Sequence, residues 1–139
     1  MKIQLASTPE ELRACFTVVS ELRPHLSQEG FMELVTRMQK NHGYQLAYVD
    51  DNGVKSVAGI RIAEWLYAGK YLEIDDLITA EGERSKGYGA RLFDWVADYA
   101  REQQCVQLRL VSGVQRIDAH RFYQNKGMTF EAKYFSLML

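Results

Sequence analysis

Cysteine, histidine and proline are scarce in this chain of 139 residues, which has two, three and two of them. Cys15 and Cys105 lie far apart at apolar-patterned positions, which is typical of reduced core thiols and not of a disulfide framework. Neither has a histidine nearby in an evident motif, so both are poor candidates for a nucleophile. The histidines share no ligand spacing with the cysteines, and no metal is expected.

Long apolar runs and an excess of one charge are also absent. No apolar stretch approaches the length of a membrane span, and residues 1–11 lack the apolar core of a signal peptide. With 17 basic and 18 acidic residues the net charge is −1, so no overall basic field points to nucleic acid or to an anionic membrane. We therefore expect a cytoplasmic protein that binds neither. The length and the lack of internal repeats predict a single domain over residues 1–139.

Hydrophobic periodicity and turn signals divide the chain into alternating strands and helices. Thr8 and Glu11 form a capping-box signature for a first helix, and Ser27 can cap a second. Asn52-Gly53 predicts a hairpin turn. The predicted strands cover 2–6, 44–49, 54–65, 71–79 and 106–111, with one or two closing strands in 128–139 and a turn at 69–70. The predicted helices cover 9–23, 28–41, 90–102 and 116–126. This order predicts an α/β class with a ligand at the carboxyl ends of the central strands.

The stretch from residue 71 to residue 102 contains a strand, a basic glycine turn and a helix. The unpaired amides and positive dipole end at a helix N-terminus favour an anion such as a phosphate chain. Gly87 and Gly89 would let that anion approach closely, and Arg84, Lys86 and Arg91 would add positive charge.

Spacing excludes two familiar nucleotide motifs in this turn. A dinucleotide fingerprint would need a third glycine where Leu92 stands, and a Walker loop opening at Gly82 would need lysine where Tyr88 stands. The pattern that remains is R-x-x-G-x-G, from Arg84 to Gly89.

This pattern resembles the acyl-coenzyme A turn of the GNAT superfamily of N-acetyltransferases. A second motif in the right order supports the resemblance, A-x-x-F-Y-x-x-x-G-M from Ala119 to Met128. The resemblance covers nearly the whole chain. It implies a mixed, mostly antiparallel central sheet flanked by helices, in the order β-α-α-β-β-β-α-β-α-β, and acetyl-CoA as co-substrate.

Two groups of residues are candidates for binding the cofactor. Main-chain groups at the end of the central strand could pair with the pantetheine arm like an added strand, if a splayed neighbour leaves that edge open. Family resemblance assigns the same segment. Arg116 stands where many relatives carry an asparagine that bonds the cofactor arm. We therefore expect Arg116 to contact the cofactor phosphates or a substrate acid. Ser112, Gln115 or Asn125 could take the place of that asparagine. The predicted cofactor-binding residues are Leu77, Ile78, Thr79, Arg84, Ser85, Lys86, Gly87, Tyr88, Gly89, Ala90 and Arg116.

Tyr123 is the candidate general acid. A phenol is protonated at neutral pH and its pKa is close enough to that of a thiol to share a proton with a leaving thiolate. In proteins that this chain resembles, the tyrosine of the second motif lies beside the thioester sulfur. The alternative is a packed aromatic at the edge of the core.

Glu73 and Asp75 are the candidate proton acceptors for the amine. A strand period of two places them on one face, with Asp76 on the other. The alternative is salt bridging to Arg61 or Arg109. No base is needed if the amine arrives partly neutral.

These features predict transfer of acetyl from acetyl-CoA to a primary amine, by direct attack without an acyl-enzyme. The acidic strand favours a cationic small-molecule amine, although protein and peptide amines stay open, as does a non-catalytic acyl-CoA sensor or scaffold. The apolar segment 134–139 predicts a homodimer that uses the C-terminal strands.

Overall fold

The computed structural model describes all residues from Met1 to Leu139. They form two compact units, Met1–Arg109 and Leu110–Leu139. That the chain acts as one domain stays a prediction. None of the helices combines the length and the apolar character that a membrane crossing requires.

The α/β order of elements agrees with the predicted order up to the last helix. The elements are β1 (Lys2–Leu5), α1 (Pro9–Leu22), α2 (Gln28–His42), β2 (Gln45–Asp50), β3 (Val54–Trp65), β4 (Gly69–Thr79), α3 (Tyr88–Glu102), β5 (Gln107–Leu110) and α4 (Ile117–Asn125). The other boundaries agree with the predicted ones within one residue, but α3 begins two residues earlier, at Tyr88, and the predicted turn at 69–70 already belongs to β4.

Local capping signals fix the first two helices as predicted. The Thr8 side chain accepts a hydrogen bond from the Glu11 backbone N–H, and the Glu11 carboxylate accepts one from the Thr8 N–H, which completes the capping box. Ser27 caps α2, and Gly43 ends it in the left-handed region at φ 65°. These caps satisfy backbone groups that would otherwise be unpaired at the helix ends.

The five strands form one sheet in the order β1-β2-β3-β4-β5. The first four are antiparallel neighbours. The N–H of Val106 donates to the Lys70 carbonyl (2.8 Å). Three residues further along both strands, Arg109 contacts Glu73. This constant offset shows that β5 runs parallel to β4 and begins beside the start of β4.

Helices cover both faces of the sheet in the first unit. On one face α1 packs against β2, β3 and β4, and α2 packs against α1, in a core of buried residues that includes Leu12, Val19, Phe31, Leu46 and Val57. The buried residues of α3 lie outside this cluster although α3 contacts β2, β3 and β4, so α3 covers the opposite face. The central strand β4 is therefore held from both sides.

The predicted closing strands in 128–139 are wrong, because this segment follows α4 without regular structure. Strands are stable only when their backbone groups are paired, and no strand pairs with this segment. Its large apolar side chains are exposed instead, between 72% and 113% of their reference area. They are Phe130, Tyr134, Phe135, Leu137, Met138 and Leu139.

Candidate functional site

The N-terminus of α3 is an open, left-handed turn. Gly87 is the N-cap at φ 88°, and no side chain caps the helix. The first hydrogen bond of the helix joins the Arg91 N–H to the Gly87 carbonyl (3.1 Å). The amides of Tyr88, Gly89 and Ala90 precede it and have no partner in the helix, so they are available to an anion.

Three cationic side chains accompany this turn. The Arg84 Nε donates to the Thr79 carbonyl (3.4 Å), and Arg91 lies against the Met1 sulfur (3.3 Å). Lys86 is ion-paired with Glu83 (2.9 Å). The Lys86 and Lys55 ammonium groups lower the pKa of the Glu83 carboxyl, so Glu83 stays ionised and offsets part of the positive charge.

Close packing is a second reason for a glycine at position 89, and sequence reasoning missed it. A Cβ at this position would lie 3.1 Å from Thr79 Oγ1, which itself contacts Ser56 Oγ (3.1 Å). Close packing of α3 on the end of β4 therefore depends on the missing side chain. The Tyr88 hydroxyl donates to Asp51 (2.7 Å), so its ring is directed to the β2–β3 turn.

The end of β4 extends past its parallel neighbour. On the constant offset, Arg109, the last residue of the first unit, lies beside Glu73, whereas β4 continues to Thr79. Leu77 and Ile78 pair with β3 on one side only. Within the first unit no strand pairs with the other side of Leu77–Thr79, where the Thr79 carbonyl accepts the hydrogen bond from Arg84; the added-strand arrangement on this side stays a prediction.

A β-bulge at Asp75 changes the predicted arrangement of the carboxylates. Gly59 pairs with Asp76 and Ile60 with Ile74, which leaves Asp75 as the extra residue. Because Gly59 and Arg61 lie on one face of β3, their partners Asp76 and Glu73 also share a face. The prediction that Asp76 lies opposite Glu73 is therefore wrong.

Each carboxylate of this face is paired with an arginine. Glu73 contacts Arg109 (2.6 Å), Asp75 contacts Arg61 (2.5 Å), and Asp76 contacts Arg23 (2.7 Å). The salt-bridge alternative, which named Arg61 and Arg109, thus describes the contacts of Asp75 and Glu73 but not the pair of Asp76 with Arg23. The separations in sequence of 36, 14 and 53 residues gave no local signal for these pairs.

Burial and neighbouring charges shift the pKa values of this face. Burial raises the pKa of Glu73, against the opposing effect of Arg109. The Arg109 guanidinium lies 4.2 Å from the Trp65 ring centre and 3.8 Å from that of Tyr71, which favours a fixed cation. Burial and the Asp76 carboxylate raise the pKa of Tyr44, whose hydroxyl donates to Asp76 (2.7 Å).

Tyr123 and Arg116 belong to the second unit. Tyr123 is half-buried on α4, with its ring centre 5.5 Å from that of Phe122. Burial raises the pKa of its hydroxyl, with a smaller opposite effect of Arg116, so it is protonated at neutral pH. Arg116 is the N-cap of α4 without a capping side-chain bond, and Gly127 ends the helix region at φ 91°.

Neither cysteine has the character of a nucleophile. Burial and then the Glu11 carboxylate raise the pKa of Cys15 to about 12. Cys105 is half-buried, and burial also raises its pKa. A thiolate is the reactive form, so both thiols are unreactive at neutral pH.

The chain is similar to known proteins over most of its length. The acetyltransferase (GNAT) family pattern matches residues 6–129. The chain belongs to this family. It is 34% identical over 131 residues to the uncharacterized N-acetyltransferase YhdJ of Bacillus subtilis, covering 93% of this chain and 92% of that protein. The chain is thus an acetyl-CoA-dependent N-acetyltransferase.

Two more distant similarities are to proteins that are named N-acetyltransferases. The aminoalkylphosphonate N-acetyltransferase of Salmonella typhimurium is 24% identical over 125 residues, covering 87% of this chain and 80% of that protein. A solved aminoglycoside N-acetyltransferase in complex with CoA has a TM-score of 0.84 at 10% identity, covering 99% of this chain and 95% of that one. The latter likeness shows that this acetyltransferase has the same fold.

The predicted site residues of this acetyltransferase are distributed over both units. Four residues separate the stretch from Arg84 to Ala90 from Leu77–Thr79 at the end of β4. Glu73 and Asp75 lie on the same strand, nearer its start. Sequence reasoning missed Arg23 and Tyr44, because their contacts with Asp76 depend on the bulge and on the end of α1.

Proposed function

We propose that this acetyltransferase transfers the acetyl group of acetyl-CoA directly to the primary amine of a small molecule. The amine nitrogen attacks the thioester carbonyl, the C–N bond forms, and the C–S bond breaks without an acyl-enzyme. The departing sulfur takes a proton, and the amine loses one. The observation that carries this proposal is the uncapped N-terminus of α3 at Gly87, which residues 80–86 join to the end of β4.

The α3 turn is the proposed site for the cofactor pyrophosphate. Amides of Gly87 to Ala90 would donate to its oxygens, with the dipole end of α3 favouring negative charge. Arg84 and Lys86 would add charge-assisted contacts, and Ser85 at φ 66° is part of the curve of the turn. Lys86 would have to exchange its contact with Glu83 for one with phosphate.

The open main chain of Leu77–Thr79 is the proposed partner of the pantetheine arm. The side of this segment that faces away from β3 would give the arm a path along one strand towards the turn. One of these amides could donate to the thioester oxygen where negative charge develops. Arg116 is a further candidate for contact with the phosphates.

Tyr123 is the proposed acid for the departing thiolate. Its raised pKa keeps the proton on the hydroxyl at neutral pH, which is the state that a general acid needs. Since a thiol has a pKa near that of a phenol, the proton can be shared as the C–S bond lengthens.

Glu73 and Asp75 are the proposed groups for the amine proton. Both are held by arginines, so each would act through a water and would also stabilise the incoming ammonium. Glu73 is the better acceptor, because burial raises its pKa and makes it more basic.

Titration with acetyl-CoA and with ATP tests the cofactor part of this proposal. Calorimetry should give saturable binding of acetyl-CoA and none of ATP at the same concentration. A panel of primary amines, read by release of free thiol, then tests transfer. Saturable acetyl-CoA binding without thiol release for any amine would contradict the proposed activity.

We also propose that a second copy of the chain covers the exposed C-terminal segment. Its six large apolar side chains would be unfavourable in water, and an edge strand such as β5 offers unpaired backbone groups. Light scattering should give twice the 16.0 kDa of one chain. Replacing Phe135 and Leu137 with aspartate should return the monomer mass, whereas a clean monomer of the parent chain at micromolar concentration would contradict the proposal.

A further inference from the structure

The sheet face around the bulge of β4 has no net charge. Its three carboxylates and three guanidinium groups form ion pairs with heavy-atom distances of 2.5 to 2.7 Å. They are Glu73 with Arg109, Asp75 with Arg61, and Asp76 with Arg23. A polycationic acceptor gains little from a face on which every negative charge is compensated.

Two of these arginines keep part of their hydrogen-bonding capacity. Arg23 bonds Asp76 through Nε and Nη2, and Arg61 bonds Asp75 through the same two nitrogens. The Nη1 nitrogen of each is left for another partner. Their side chains are 42% and 36% exposed, so a ligand can reach them.

Both guanidinium groups lie at the bulge. Arg23 Nη2 also approaches the backbone carbonyl of Asp75 (3.5 Å), the residue that Arg61 pairs with. Tyr44 holds Asp76 from the other side, so Arg23 is bonded to a fixed carboxylate. Planar, pre-oriented guanidinium groups are suited to a carboxylate or a phosphonate.

Resting on the proposed function, we infer that the acceptor carries an oxyanion close to its amine, which Arg23 and Arg61 bind at the bulge of β4. The neighbouring carboxylates receive the ammonium end. The acceptor class is a small zwitterionic amine, and the oxyanion is either a carboxylate or a phosphonate. Polyamines and amines with an uncharged tail lack the group that these arginines would hold.

Short amines of similar length test this inference by thiol release. The probes are β-alanine, 2-aminoethylphosphonate, propylamine and 1,3-diaminopropane. We expect kcat/KM for at least one acidic amine to exceed that for propylamine and for the diamine by about tenfold or more. The better of the two acids identifies the oxyanion. A preference for propylamine or for the diamine would overturn the inference and leave the proposed function intact, whereas no release with any amine would overturn both.

Arg23→Gln separates recognition of the oxyanion from a structural role. We expect the ratio of kcat/KM between the preferred acid and propylamine to fall by about tenfold or more, mainly through KM for the acid. Arg23→Lys should restore part of this ratio, since it keeps the charge. Arg13→Gln, on the helix α1 that Arg23 terminates, is the control that should keep the parent ratio, because Arg13 pairs with Glu10 and not with the bulge. An equal loss for both amines in Arg23→Gln would assign Arg23 a structural role and overturn the inference.

Discussion

The turn at the start of α3 and the bulge of β4 differ in the groups that they offer to a charged ligand. The turn offers backbone amides after Gly87 that no side chain caps. The bulge offers side chains, and each of its carboxylates is already paired with an arginine. A site made of backbone groups is suited to a ligand that stays the same among related enzymes, such as the cofactor. A site made of side chains can differ from one related enzyme to the next, as the acceptor does.

The two regions should also respond differently to single substitutions. Removing a glycine blocks approach to many amides at once, so the turn should respond steeply to a single substitution. Removing one arginine of the bulge leaves a carboxylate to be solvated, so the effect depends on which acceptor is offered. The following changes test this contrast, beginning with the largest expected effect.

Replacing Tyr123 with phenylalanine should leave both regions intact and remove the acid. We expect turnover to fall by about 10²–10⁴-fold with little change in acetyl-CoA affinity. The measurement is steady-state kinetics on an accepted amine, with affinity from calorimetry. If turnover stays within about threefold while chemistry limits both forms, Tyr123 is only a packed aromatic.

Gly87→Leu should abolish the backbone site. We expect acetyl-CoA affinity to fall by about 100-fold or more, because the side chain fills the space of the pyrophosphate. Gly43→Leu is a matched control: both glycines have positive φ, 88° and 65°, and neither would place a Cβ within 4 Å of another group. The backbone strain is thus similar in the two variants, and only Gly87→Leu should lose binding. Equal affinity of both variants would remove the turn from the site.

Gly89→Ala tests whether Gly89 serves the ligand or the packing of α3. Its Cβ would lie 3.1 Å from Thr79 Oγ1. If packing is the whole reason for glycine, adding Thr79→Ala should restore acetyl-CoA binding. We expect affinity in the double variant to stay reduced, because the same Cβ also restricts approach of the phosphate.

Arg84→Ala should weaken binding less than loss of the glycine turn does. A charge-assisted hydrogen bond contributes about 1.5–3 kcal/mol, which corresponds to about 10–150-fold in Kd. The control is Arg101→Ala, an exposed arginine near the end of α3 that pairs with Asp98. Calorimetry at low salt gives the comparison, and an unchanged Kd in Arg84→Ala would exclude this contact.

The smallest effect is expected at Glu11, outside both regions. Its hydrogen bond from Tyr48 lowers the Glu11 pKa from 4.5 to about 2. A folded-state pKa below the unfolded one stabilises the fold above pH 4.5, and this contribution is lost as the pH falls to about 2. The melting temperature should therefore drop more between pH 7 and pH 3 in the parent than in Glu11→Gln. Glu10→Gln is the control and should behave like the parent. Equal drops of the melting temperature in the parent and in Glu11→Gln would contradict a contribution of the lowered Glu11 pKa to stability.

Local signals in the sequence predicted most of the first unit. Thr8, Ser27 and the Asn52-Gly53 turn each act over a few residues, and their elements were confirmed. The α3 turn was found in the same way, because its glycines and arginine are contiguous. Its function as a cofactor site stays a prediction.

Features that depend on distant partners could not be predicted. The bulge at Asp75 arises from pairing with β3, so a period of two along β4 placed Asp76 on the wrong face. Arg23 lies 53 residues from Asp76, and no pattern joins them. The segment 128–139 has the composition of a strand, yet a strand also needs a partner, which is a property of the assembled sheet.

Backbone amide chemical shifts during a titration with acetyl-CoA test the central claim most directly, and a chain of 16.0 kDa is suitable for this experiment. We predict the largest saturable shifts at the amides of Gly87 to Arg91, with further shifts at Leu77–Thr79 and none near Gly43. The shifts should follow the same binding curve as calorimetry. Saturable binding that leaves the amides of Gly87 to Arg91 unchanged would contradict the assignment of the cofactor phosphates to the N-terminus of α3.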